Sequence, residues 1–194
     1  MNAEALLAHF ESYLPFEEDE KSLIKSRISH KAVKRREFIL QTGEVCKYYT
    51  FVVKGILRLF VLDEEGKEHN ILFAGENEWI SDITSFHATK PGVSNIQALE
   101  PSEIIQIAQQ DLYFLYINIQ KLDRIFKVIT EEKYVELQNR VFHTISSTAH
   151  QRYLAFLEQY PKLAYRLPNT QIASYLGITP EFLSMIRKDM VKPD

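Results

Sequence analysis

The sequence predicts an α+β fold: an N-terminal antiparallel β-roll (a cupin-like jelly roll), then a long helix, then a C-terminal helical domain that ends in a helix-turn-helix. Three observations predict it. From Arg36 to Gln110, β-branched and aromatic runs alternate with turn residues. After Asp111 the apolar spacing turns helical and stays so for about 35 residues. The last stretch, Asn169 to Lys188, carries the residues that two helices meeting at a steep angle need. The boundaries expected are 1–112 for the β-roll, 113–147 for the long helix and 148–194 for the helix-turn-helix domain.

The opening segment, Glu4 to Ile28, places Leu6, Leu7, Phe10 and Leu14, then Leu23, Ile24 and Ile28, at helical spacing. Pro15 divides it into two short helices. The strand texture follows in EFILQTGE, KYYTFVVKG, ILRLFVLDEEGKEHNILFAGE and VSNIQALEPSEIIQIAQQ. The clearest unit is a hairpin from Ile56 to Phe73, turned by Asp63-Glu64-Glu65-Gly66 with glycine where a positive φ is needed. Short strands at this spacing close into a small barrel or sandwich.

In the long helix Leu115, Ile119, Leu122, Phe126 and Ile129 repeat at alternating steps of four and three, and the stripe continues less regularly through Leu137, Val141 and Ile145. Such a helix is about 50 Å long. That length fits a dimer helix pairing with its symmetry mate, and the same periodicity also fits a core helix packed on its own chain. Beyond Ala149 come a helix through Tyr153, Phe156 and Leu157, a break at Pro161 and a short extended piece at Arg166 and Leu167.

The terminal unit, NTQIASYLGITPEFLSMIRK, meets the needs of a helix-turn-helix in detail. Ala173 allows close approach of the two axes, and Gly177 supplies a left-handed turn residue. Ile172, Leu176, Ile178, Leu183 and Ile186 form the packed face. Thr179 caps the second helix, Pro180 takes its first position, and Glu181 sits beside its positive end. Any one of these residues also fits a plain helical hairpin. Turned inward on that face, the second helix presents Thr179, Pro180, Glu181, Ser184, Met185 and Lys188, flanked by Arg187. In a major groove, Glu181 would accept from cytosine N4, Ser184 would bond either polarity, and Met185 or Pro180 would meet a thymine methyl. Arg187, Lys188, Thr170 and Gln171 are placed for phosphate.

Composition narrows the class. With 194 residues, 45% of them hydrophobic, and twelve Phe and ten Tyr, the chain is a folded one rather than a disordered one. No apolar run approaches the roughly 18 residues of a membrane span. The start, MNAEALLAHFESYLPFEEDE, lacks the basic and apolar regions of a secretory signal. A single cysteine, Cys46, cannot pair internally, which fits a reducing cytoplasm. Net charge is −3. From Thr148 onward six basic residues (Arg152, Lys162, Arg166, Arg187, Lys188, Lys192) stand against four acidic (Glu158, Glu181, Asp189, Asp194), a local excess of +2 against −5 elsewhere.

No enzyme is expected. There is no Gly-rich phosphate loop, serine elbow or metal dyad, and the runs Glu17-Glu18-Asp19 and Asp63-Glu64-Glu65 read as solvated faces. His9, His30, His69, His87, His143 and His150 lack metal-ligand spacing, the last two lying about 10 Å apart on a helix. No cofactor is expected.

The order of parts resembles the Crp/Fnr family of bacterial regulators, most strongly in YYTFVVKGILRLFVLDEEG (Tyr48–Gly66) and from Gln171 to Lys188. LGITPEFLSMIRK is similar to a branch common in Bacteroidetes, in which the residue before the isoleucine is commonly arginine; here it is Met185. The sequence stops at Asp194, so a wing hairpin beyond the second helix is not expected. The resemblance implies a transcription regulator that binds double-stranded DNA as a homodimer, with RNA polymerase as a further partner, an unnamed small-molecule effector and no membrane. It also implies an effector pocket. The family's Gly-Glu pair for the ribose falls on Ser81 and Asp82, and its phosphate-clamping arginine falls near Gly92, with Lys90 the one basic residue close by. A cyclic phosphate without its bidentate cation loses its main support, so cyclic AMP is not expected to bind. Iron-sulfur members need several cysteines, which this chain lacks. Trp79, Phe86 and His87 lie in the pocket segment, where they either close a smaller apolar pocket or fill it.

Overall fold

The computed structural model describes residues 3–191, so Lys192 and Asp194 of the charge count lie outside the described residues, as does the end of the 148–194 domain. Two helices come first, α1 (Glu4–Glu11) and α2 (Glu18–Ser26), the second opened by a reciprocal capping box between Glu17 and Glu20. The roll follows: β1 (Ser29–Val33), β2 (Phe38–Leu40), β3 (Tyr48–Lys54), β4 (Leu57–Leu62), β5 (Glu68–Ala74), β6 (Trp79–Ile80), a short helix α3 (Ile83–Ala88), β7 (Asn95–Ala98) and β8 (Ser102–Ala108). They form two antiparallel four-stranded sheets, ordered β1-β8-β3-β6 and β2-β7-β4-β5. The β4–β5 hairpin turns where expected. Asp63 Oδ1 accepts from the Glu65 and Lys67 amides and Gly66 has φ +78°.

Elements β1, β6 and α3 are additions to the sequence reading. Strand β1 is SHKAV with mostly exposed side chains, so it carries no apolar alternation, and β6 is only two residues long.

The long helix departs from expectation. The segment divides into α4 (Gln109–Asn118) and α5 (Gln120–Ser146), because Ile119 leaves the helical region at φ −131°, ψ 86°. The run Ile117-Asn118-Ile119 has weak helix propensity, and the bend lets Leu115 and Leu122, both fully buried, face the roll together. Helix α5 alone, at 27 residues, is about 40 Å long. The expected pairing stripe is also corrected. Leu115, Ile119, Leu122, Phe126 and Ile129 are all covered by their own chain, at 5% exposure or less, and join the roll's main core. Phe126 packs on Trp79, Tyr49, Phe10 and Tyr116. The opposite side of α5 is apolar and exposed instead: Val128, Val135 and Phe142 recur every seven residues, with Tyr134, Val141 and Ile145 beside them. Among the described residues no helix is long and apolar enough to cross a membrane.

The chain ends in α6 (Ala149–Gln159), α7 (Asn169–Leu176) and α8 (Pro180–Val191). Between α6 and α7 the piece expected to be extended is a series of turns, in which the Arg166 and Leu167 amides both donate to Leu163 O.

The helical domain is docked on the roll. Its core includes Ile56 and Phe73 of the roll together with Tyr153, Phe156, Tyr160 and Tyr175. At the polar edge of this contact lies Arg58 of β4, only 4% exposed. Its guanidinium donates to Glu68 at 2.6 Å, to Gln97 at 2.7 Å and to Gln171 of α7 at 2.8 Å, and lies 4.0 Å over the Phe60 ring. Asn70 donates to the Gln171 carbonyl at 2.9 Å, and Ser174 accepts from the Asn70 amide while donating to Glu68 O. A second clip sits outside: Arg166 holds Glu76 by two bonds of 2.8 and 2.9 Å and also bonds Glu100. Arg166 holds the Glu76 carboxyl down at about 2, so the clip is complete at neutral pH and is lost as pH falls toward that value.

A lysine lacks the planar fork that Arg58 uses on four partners. Arg58→Lys is therefore expected to lower stability by about 2 kcal/mol in urea unfolding and to raise amide exchange in α7. Unchanged exchange there would show that the docking does not run through this guanidinium.

Candidate DNA-reading surface and effector pocket

The last two helices form the expected motif. Gly177 closes α7 in the left-handed region at φ +68°, ψ 35°, with open space around it. Thr179 Oγ1 accepts from the Phe182 amide at 3.2 Å, which fixes it as the cap, and Pro180 is the first residue of α8. Ile172, Ala173, Leu176, Leu183 and Ile186 are buried between the helices.

The outward residues divide into two groups. Thr170, Thr179, Glu181, Ser184, Met185 and Lys188 are exposed, and Pro180 is half-exposed. Ser184 also bonds its own helix, donating to Pro180 O at 2.9 Å. Gln171 and Arg187 turn inward, contrary to the reading that gave them to phosphate. Gln171 serves Arg58 and Asn70 at the roll. Arg187 donates to the Tyr153 hydroxyl at 2.8 Å and to Asn169 Oδ1 at 2.5 Å, stapling α8 to α6 and to the start of α7. Both side chains are spent on holding the domain together. That leaves Lys188 as the exposed cation among the described outward residues of α8.

The large aromatic residues of the pocket segment are buried. Trp79 is 3% exposed and Phe86 1%, and both pack on Tyr49. Trp79 also stacks on Phe10 of α1 and donates through Nε1 to His9 Nε2 at 3.2 Å. Burial lowers the His9 pKa, which keeps that nitrogen an acceptor. His87 is exposed, with Nδ1 3.2 Å from the Tyr113 hydroxyl, and takes no part in that packing.

At the positions of the family's clamp, Ser81 and Asp82 are both 7% exposed and committed to the chain's own groups. Ser81 Oγ donates to Tyr48 O and lies 3.3 Å from Cys46 Sγ. Asp82 caps α3 through the Ser85 amide at 3.0 Å. Ser85 Oγ in turn donates to Lys90 O and accepts from the Cys46 amide. A methyl group added at Gly92 would lie 2.4 Å from Asp82 Oδ2 and 3.0 Å from Ser85 Cβ. Backbone bonds from Gly92 N to Glu44 O and from Gly43 N to Gly92 O draw this segment shut. The place of a clamping arginine therefore has no room for a side chain, and a carboxylate already occupies the ground beside it. Sequence reasoning missed Arg58, Arg140 and Tyr160, which bear on the contact between the roll and the helical domain. Among the described residues no group of His, Cys, Asp and Glu could hold a metal ion.

Comparison with known proteins agrees with this architecture. Residues 30–118 match the cyclic nucleotide-binding domain family. No curated protein matches the chain. Among solved structures, FixK2 from Bradyrhizobium japonicum is similar with a TM-score of 0.74 at 16% identity, covering 84% of each chain. A CooA variant from Carboxydothermus hydrogenoformans has a TM-score of 0.73 at 16% identity, over 90% of this chain and 80% of that one. A crp/fnr-family transcriptional regulator from Eubacterium rectale reaches 0.70 at 15% identity, over 94% of this chain and 87% of that one. Residues 30–118 thus form a cyclic nucleotide-binding-type domain, joined in one chain to the long helix and terminal helices of the Crp/Fnr fold.

Proposed function

We propose that the chain is a sequence-specific DNA-binding transcription regulator that works as a homodimer and does not respond to cyclic AMP. The observation that carries the proposal is the capped α7–Gly177–α8 unit with Glu181, Ser184, Met185 and Lys188 exposed along α8. Glu181 and Ser184 would read base edges, Met185 and Pro180 would contact thymine methyls, and Lys188, Thr170 and the Thr179 end of the helix would meet phosphate. The exposed apolar side of α5 would pair with its copy, setting the two reading helices about 34 Å apart. One observation favours a second reading, in which the roll acts through protein contacts and the hairpin binds no DNA: α8 offers few free cations, because Arg187 is spent internally.

Selection of bound duplexes from a random pool, followed by salt titration, separates the two. A regulator yields a two-fold symmetric site, and log K falls linearly with log salt. On that site Glu181→Ala should relax preference at one base pair at a cost of about 1–3 kcal/mol, whereas Lys188→Ala should weaken all sequences alike and lower the salt slope by about 1. Equal losses on every sequence would remove the distinction between reading and positioning, and no salt dependence would favour the second reading.

The pairing face has its own check. Val135→Glu and Phe142→Glu change exposed positions, so the monomer should keep its fold while sedimentation shows loss of the dimer. DNA affinity should then fall about 100-fold, as two linked half-sites become one. An unchanged sedimentation coefficient would place the interface elsewhere.

For cyclic AMP, calorimetry is expected to show no binding at micromolar concentration. Restoring the cation alone, in Gly92→Arg, should not create binding, because the Asp82 carboxylate fills the neighbouring space. Micromolar binding by either protein would overturn this part of the proposal.

A further inference from the structure

We infer that α8 selects its site on DNA by the C5-methyl group of a pyrimidine in the major groove, carried either by thymine or by a cytosine methylated at C5. This deepens the DNA-binding reading above and rests on it. Its support is the stock of hydrogen-bonding groups that the fold leaves on the outward side of α8.

That side is poor in donors. Glu181 ends in a carboxylate, which only accepts. Ser184 has given its hydroxyl hydrogen to Pro180 O at 2.9 Å, so its oxygen is left as an acceptor. Pro180, half-exposed, and Phe182 and Met185, both exposed, donate nothing from their side chains. Two side chains that carry N–H groups are turned inward: Arg187 is held by Tyr153 and Asn169, and Gln171 by Arg58 and Asn70. From Pro180 to Met185, therefore, no outward side chain has a hydrogen to give to a base.

Guanine presents two acceptors in the major groove, and adenine an acceptor beside its amine, so a bidentate purine contact needs donors that this face lacks. Cytosine presents an amine, and the ring carbon next to that amine is C5, the atom that bears the methyl group in thymine. A carboxylate facing DNA is repelled by phosphate, a cost that a base amine returns. Glu181 and Met185 stand at i and i+4, one turn apart on the same side of the helix, with Cβ atoms about 6 Å apart. With Glu181 accepting from a cytosine N4, the Met185 thioether reaches C5 of that base or of its neighbour. Met185 is 50% exposed, so it has apolar surface to lose from water, and its unbranched chain adapts to the contact. A methyl group at C5 is buried against it, whereas a bare C5–H leaves a gap.

The test selects sites with the full chain from two random duplex pools, one of unmodified bases and one with 5-methylcytosine in place of cytosine. In the recovered sites thymine is then exchanged for uracil, and 5-methylcytosine for cytosine, one position at a time. At one position or more of each half-site the exchange is expected to weaken binding about three- to fivefold, the value of one buried methyl group. Uracil sensitivity assigns the methyl to thymine, and cytosine sensitivity assigns it to the methylated base. The salt slope should not change, because a methyl group carries no charge. At one of these positions the response should vanish in Met185→Ala and persist in Met185→Leu, which is apolar and of similar volume. Sites indifferent to every exchange, or a response in Met185→Ala equal to that of the starting chain, would overturn the inference and leave DNA binding in place. Recovery of no site from either pool would remove the DNA-binding reading and this inference with it.

Discussion

The arrangement of the molecule depends on the buried guanidinium of Arg58. A full charge at 4% exposure is tolerated only where its donors are met, and here they are met by Glu68, Asn70, Gln97 and Gln171. Those partners lie on β5, β7 and α7. One side chain of β4 therefore ties both of its neighbouring strands to the first helix of the helix-turn-helix. The apolar contact around it, with Ile56 and Phe73 seated among Tyr153, Phe156, Tyr160 and Tyr175, has no direction of its own. The hydrogen bonds supply the direction. They fix where α7 sits on β5, and through the α7–α8 packing they fix where α8 points relative to α5.

Helix α5 carries the opposite kind of constraint, two apolar sides on one rod. Leu122, Ile125, Phe126 and Ile129 face the roll in its first half. Further along, the own-chain side turns polar at Lys133, Glu136 and Arg140, which serve the junction. The outer side keeps Tyr134, Val135, Val141, Phe142 and Ile145 in solvent. A run of exposed apolar groups this long on one helix face is what an association surface requires. Its position on α5 opposite the roll means that pairing need not disturb the core.

The parts legible in the sequence are those governed by local rules. Gly177, Thr179 and Pro180 act within three or four residues of themselves, and the structure gives each the role its chemistry implies. The β4–β5 hairpin is of the same kind, its Asp63 and Gly66 acting inside one turn. The illegible parts depend on distant partners. Arg187 looks like a phosphate contact until Tyr153, 34 residues earlier, takes its Nε, and Gln171 reaches Arg58 across 113 residues. Periodicity likewise showed that the long segment is apolar in a helical pattern, but it does not distinguish an inward stripe from an outward one. The pocket segment stood between these cases: large aromatic residues at Trp79 and Phe86 left filling or closing both open, and the structure buries both against Tyr49, with Trp79 also on Phe10, beside a remaining cavity of about 250 Å³.

The same geometry limits where a signal can enter. In the roll, the ground a cyclic phosphate would need holds the Asp82 carboxylate, a cap on α3, and Gly92 with no room for a cation. An incoming anion would meet a buried like charge and no counter-charge, a combination that costs more than binding returns. Remaking that site would take changes at Asp82 and Gly92 together, with Ser85, Cys46 and Lys90 re-bonded.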